Sequence, residues 1–181
     1  MLNPMLRLAR LCLQISIGRR GPQDMPAVGI LLPIAIGAYL ALSLALGEAL
    51  ALLRTGWALA VVVDTAFLAL WYWMLLALAG RRERYLQTAS AVFAIQTLLA
   101  PLSIATLWLA QGRAADPALQ GSWALESLTT GLDVVSLLWT LLATGHIVRS
   151  ALERSTALCL ILALAQMMAE SFLLADIYPG H

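Results

Sequence analysis

Five runs of predominantly apolar residues, each closed by a short polar break, constrain this chain more than any other feature. They cover 28–53, 57–79, 86–110, 127–148 and 155–176. A helix needs about 20 such residues to cross the hydrocarbon core of a bilayer, and each run is long enough. The breaks are Arg54-Thr55-Gly56, 80–84, Gln111-Gly112-Arg113 and 149–154. Even the longest link, 111–126, is too short for a soluble domain, so any chemistry must use groups in the membrane or at its edge. The expected fold class is an all-α integral membrane protein, with five transmembrane helices after an N-terminal interfacial amphipathic helix. Composition agrees: 61% of residues are hydrophobic and 12% charged, where soluble domains sit near half and a quarter. The net charge of +1 supplies no field for nucleic acid, so no nucleic-acid partner is expected.

Orientation follows from arginine, the only basic residue besides the two histidines. Arg7, Arg10, Arg19, Arg20, Arg81, Arg82, Arg84, Arg149 and Arg154 fall in alternate segments, on one side of a five-span chain. Arg54 and Arg113 fall on the other. The positive-inside rule then predicts a cytoplasmic N-terminus and an outside C-terminus, and the expected location is a bacterial inner membrane. Trp57, Trp108, Trp123 and Tyr178 are placed at the outer interface, where amphipathic rings are favoured.

Residues 1–26 read as a separate segment from the 27–181 bundle. At 100° per residue Asn3, Arg7, Arg10 and Gln14 share a polar face, opposite Leu2, Met5, Leu6, Ala9, Cys12 and Leu13. That pattern predicts a helix lying on the inner surface, with Arg7, Arg10, Arg19 and Arg20 toward the lipid headgroups. Arg10 interrupts the apolar run and no cleavage site precedes Val28, so a signal peptide is not expected. Gly21-Pro22 and Met25-Pro26 predict a turn into the first span.

Helices in lipid associate by close packing and interhelical hydrogen bonds. Gly37, Ala41, Ala45 and Ala49 recur every four residues in the first span and predict a helix-packing strip. In the fourth span Glu126, Thr129, Asp133, Ser136, Thr140 and Thr144 occupy about a third of the helix circumference. The fifth answers with Thr156, Cys159, Ala163, Gln166 and Glu170, and the third adds Gln96 and Ser103. Because 149–154 can only close an antiparallel hairpin, Asp133 and Glu170 are expected to meet. With Asp64, they make a polar seam of Asp64, Gln96, Asp133, Ser136, Thr140, Gln166 and Glu170. Acidic side chains inside a membrane cost energy and usually face the bundle interior or water. Three readings follow: hydrogen-bonded glue, docking onto a partner's arginines, and handling of a proton or cation. Glue comes first and docking second, because coupled transport usually needs internal repeats with broken helices at mid-membrane.

Cys12 and Cys159 have no CxxC or histidine neighbour, and His146 and His181 are far apart. The chain lacks HExxH, GxSxG and glycine-rich phosphate loops, so no cofactor, metal or catalytic residue is assigned and no enzyme is expected. Acylation of Cys12 stays open. The order of five spans after a Gly21-Pro22 pair resembles the Yip1 family, although that family's acidic and aromatic neighbours are replaced by Arg19-Arg20 and Gln23-Asp24. The resemblance implies a non-enzymatic membrane organiser. The expected function is an accessory or scaffold subunit that docks onto other membrane proteins or onto itself within the lipid bilayer. The alternative is a small proton- or cation-coupled transport protein using the acidic residues of spans two, four and five.

Overall fold

The computed structural model describes residues 4–49, 56–115 and 121–177, and among them every regular element is helical. The elements are α1 (Pro4–Ser16), α2 (Leu31–Ala49), α3 (Trp57–Leu78), α4 (Tyr85–Ala115), α5 (Trp123–Leu152) and α6 (Thr156–Ile177). Helices α2 to α6 are long and apolar enough to cross a membrane. Two of them outrun the stretches read from hydropathy. α4 has 31 residues and α5 has 30, roughly 46 and 45 Å at a rise of 1.5 Å per residue. Helices of that length exceed a hydrocarbon core of about 30 Å. Hydropathy marks where a helix is apolar, whereas backbone hydrogen bonding continues to the caps. At the start of α5 the Ser122 hydroxyl accepts the Leu125 N–H. α4 also runs unbroken through Pro101, which is exposed.

α4 holds the centre and touches α1, α2, α3 and α5, while α6 lies against α3 and α5. The reason is legible in α4 itself, where the consecutive residues Thr88, Ala89, Ser90, Ala91 and Val92 are all buried. Small side chains in a row leave room for a neighbour on every face of the helix. The α5–α6 hairpin is equally close at Gly145. A Cβ there would lie 2.6 Å from Leu160 Cδ2, so a larger residue would require the Leu160 side chain to shift. By contrast, Gly37, Ala41 and Ala45 face outward, and a Cβ on Gly37 would meet nothing. The expected packing strip is therefore not used within this chain; Ala49's side chain lies outside the described residues. Alanine is as apolar as lipid, so spacing alone cannot say which small-residue face is covered.

The arginine-rich end is fastened by ionic contacts across loops. After α5 the chain turns at Glu153, held at φ 54, a left-handed conformation uncommon for a residue with a Cβ. Arg81 donates to its Oε2 at 2.7 Å and Arg84 to its Oε1 at 2.6 Å. Arg84 also donates to the Ala151 carbonyl at 3.1 Å, one of the carbonyls that the end of α5 leaves unpaired. The clamp joins the α3–α4 loop to the α5–α6 loop.

α1 divides its surface three ways. Leu8, Leu11, Cys12 and Ile15 pack on the bundle, where α1 meets α4 and α5. Leu6, Leu13 and Ile17 are exposed in a second sector, and Arg7 and Arg10 are exposed beyond it. Cys12 was expected on the same apolar side as Leu6 and Leu13. Instead it is buried, and burial pushes its thiol up, which leaves acylation no accessible thiolate. Gly21-Pro22 opens a single 3-10 turn, Pro22–Asp24, whose Asp24 carboxylate accepts the Gly21 N–H at 3.0 Å. Gln87 of α4 donates to the Met25 carbonyl at 2.9 Å and pins this turn to the bundle. Arg19 and Arg20 remain exposed beside it.

Candidate functional site

Each of α3 and α6 carries one buried face with a carboxyl on it. On α3 the residues at fourfold spacing, Asp64, Leu68, Tyr72 and Leu76, are all buried. On α6 the buried residues are Cys159, Ala163 and Gln166, with half-buried Glu170 one turn further on. Thr156, at the start of the sequence stripe on α6, is exposed, but from Cys159 onward the stripe is an inward face. It turns toward α3, however, and not toward Asp133.

Two hydrogen-bonded chains result. Tyr39 of α2 donates its phenol O–H to Asp64 Oδ2 at 2.5 Å, a short contact between a half-buried and a buried side chain. Tyr72 donates to Gln166 Oε1 at 2.8 Å, and Gln166 Nε2 donates to Glu170 Oε2 at 3.0 Å. Asp64 and Glu170 line a common pocket of about 330 Å³, together with Tyr39, Ser43, Trp57, Gln96 and Ser103. The pocket sits where α3 begins and α6 ends, at the arginine-poor end of the bundle. Its outer wall is set by Trp57, whose indole N–H donates to the Ser43 carbonyl at 2.8 Å. The ring lies on Gly47, where an added Cβ would come 1.9 Å from Trp57 Cδ1. Trp57, expected at the outer interface, also packs between α2 and α3. Trp108 and Trp123 are exposed, as belt residues would be, while Tyr178 lies outside the described residues.

One atom stands out. Asp64 is 4% exposed, and its buried Oδ1 meets no amide, hydroxyl or basic donor, only the Glu170 carboxyl close enough to share a proton with it. Buried carboxylate oxygens without donors are costly, and native structures rarely keep them without a use. No basic residue stands among those lining the pocket.

Of the expected seam, Asp64, Gln96, Gln166 and Glu170 come together here. Asp133 does not. It is exposed on α5, with Ser136 and Thr140 half-buried beside it, and among the described residues it has no hydrogen bond or ion pair. The outer half of α5 projects Leu128, Val134, Val135, Leu137 and Leu138 outward, and only 143–152 is buried substantially. A short loop does force the hairpin, with Gly145 close against Leu160 near the loop, but the loop does not set the rotation of α5, and Asp133 ends up exposed. Tyr39 and Tyr72 were missed. Trp71-Tyr72-Trp73 stands out as an aromatic run deep in its span, expected to meet lipid or a partner, and Tyr39 carries no signal; only tertiary contact shows the hydroxyl partner of each. Among the described residues no group of three His, Cys, Asp or Glu could hold a metal ion.

No family model matches the chain, and comparison with curated proteins and with solved structures finds no match either. The Yip1 likeness thus rests on helix order and on Gly21-Pro22, a pair that here serves to dock a turn.

Proposed function

We propose that this chain is an integral membrane protein that crosses five times and binds a cation in the pocket between α2, α3, α4 and α6. The insertion is supported by the apolar side chains that stay outside on every long helix, among them Leu70, Leu78, Trp108, Leu142, Ile161 and Phe172. An apolar surface distributed around the whole bundle suits lipid and would aggregate in water. Arginine asymmetry puts the pocket on the outer side. The observation that carries the functional reading is the Asp64–Glu170 carboxyl pair, on a pocket with no basic lining residue to neutralise it. Intramembrane carboxyls that line a cavity mark proton and cation pathways, and this favours the reading as a small proton- or cation-coupled transport protein over hydrogen-bonded glue, even though the long helices are unbroken. In vesicles it should take up protons, an alkali cation or an ammonium ion down an imposed gradient. Asp64→Asn should stop uptake, since asparagine cannot carry the charge, while Tyr39 keeps a hydrogen-bond acceptor and unfolding changes little. Uptake that survives in Asp64→Asn sinks the proposal.

A second reading, the accessory or scaffold subunit, is favoured by Asp133. Ten residues into α5, its carboxyl faces outward among leucines and valines, a costly place in lipid unless another chain covers it. The exposed Gly37, Ala41 and Ala45 offer α2 the same opportunity for close approach. Asp133→Leu should leave unfolding of the isolated chain unchanged but reduce co-purification of a stoichiometric partner in mild detergent. If the variant unfolds more readily instead, Asp133 belongs to the chain's own core.

A further inference from the structure

The pocket is far larger than the ion that its charge alone would need. Its volume of about 330 Å³ lies within the range for small-molecule sites, about 300–1,000 Å³, and is many times the roughly 30 Å³ of one water molecule. Bare alkali and divalent ions want a close shell of six or more oxygens, or at least several carboxylates converging on one point. Here the described residues offer two carboxyls and no third His, Cys, Asp or Glu within metal-binding reach. The rest of the wall is mixed. Leu46, Val61, Leu107 and Leu174 supply apolar surface, and the rings of Tyr39 and Trp57 stand on the same cavity. Aromatic faces attract organic cations and gain strength when water is excluded.

Resting on the cation reading above, we infer that the pocket's ligand is a small organic ammonium ion with an apolar body, rather than an inorganic ion. An ammonium group brings three N–H donors and no acceptor. Tyr39 occupies Oδ2 of Asp64, and Oδ1 has no amide, hydroxyl or basic donor, only the neighbouring Glu170 carboxyl. Glu170 has one oxygen engaged by Gln166, and the Gln96 carboxamide and Ser103 hydroxyl stand on the α4 wall. One positive charge compensates the carboxyl face, and the apolar body fills the volume that a metal ion would leave to water.

The test uses the full chain purified in mild detergent, titrated calorimetrically with phenethylammonium, with its neutral analogue 2-phenylethanol and with sodium chloride. Phenethylammonium should bind saturably, and 2-phenylethanol should bind at least tenfold more weakly. Asp64→Asn should weaken the amine at least tenfold without affecting the alcohol. Ala100→Leu, which narrows the cavity from α4 and touches no charge, should also weaken the amine, so the inference remains testable if Asp64→Asn fails to fold. Asp133→Asn, on the outer face of α5, should bind as the parent does. Equal binding of amine and alcohol overturns the inference. Saturable sodium binding, lost in Asp64→Asn and with no amine binding, overturns the organic ligand and keeps the cation reading. Absence of binding by either cation, with vesicle proton uptake also absent, overturns both.

Discussion

Glu153 combines a left-handed backbone conformation with two arginine partners, and those partners hold its carboxyl at about 2, well below its ordinary value of 4.5. A depressed carboxylate value means that the folded state binds fewer protons than the unfolded one in this window. The ionic contribution is therefore whole above about pH 4.5 and is lost as pH falls toward 2. Glu153 is fully exposed to solvent, so salt screens the contribution and its size is small. Thermal unfolding in detergent should show an acid-side loss of midpoint between pH 4.5 and 2 that shrinks in Glu153→Gln and at high salt. An unchanged acid profile in Glu153→Gln would remove the clamp from the account. The Asp64 pair obeys different physics because it is buried. There the value of the contact lies in satisfying oxygens that water cannot reach, and one oxygen of Asp64 is left with only the Glu170 carboxyl beside it.

At the scale of the element, α1 shows how one periodic pattern can serve three surfaces. Its apolar residues split between a sector against α4 and α5 and an exposed sector of Leu6, Leu13 and Ile17, with Arg7 and Arg10 at the polar edge. An exposed apolar sector bordered by arginines suits the headgroup region of a bilayer. Each basic residue near an anionic surface contributes about 1 kcal/mol. Arg7→Glu with Arg10→Glu should therefore speed hydrogen exchange across 4–16 in nanodiscs of anionic lipid and leave it unchanged in zwitterionic ones. Acceleration in both lipids would show that the arginines hold α1 to the bundle instead. Periodicity places the arginines opposite the apolar residues. It does not separate Cys12, which is buried, from Leu13, which is exposed.

Across the whole molecule, the packed core gathers at the arginine-rich end, in α1, the end of α3, the start of α4 and the end of α5. The pocket occupies the other end. This polarity matches the charge asymmetry of the loops, and a topology experiment checks both together. Reporter fusions after Gly121 should read outside, and fusions after Arg82 and Arg154 should read cytoplasmic. A cytoplasmic signal from Gly121 would break the five-crossing order and move the pocket to the opposite face.

The sequence by itself determined the number of long helices but not their limits, because twenty apolar residues have few alternatives to a helix while the caps that end it lie in polar sequence. It also determined that α6 turns Cys159, Ala163, Gln166 and Glu170 to one side, since a 3.6-residue period is a local property. What lies opposite that side was a tertiary decision. Asp64 and Gln96 reach the pocket while Asp133, equally polar and equally placed along its span, faces outward. The rotation of a helix about its axis depends on which close contact wins. Close contacts such as Gly145 against Leu160, and the buried small residues around Ala89, are the kind of steric fit that distinguishes one rotation from another. Hydrophobicity cannot set the rotations, because lipid and protein interior reward the same side chains nearly equally.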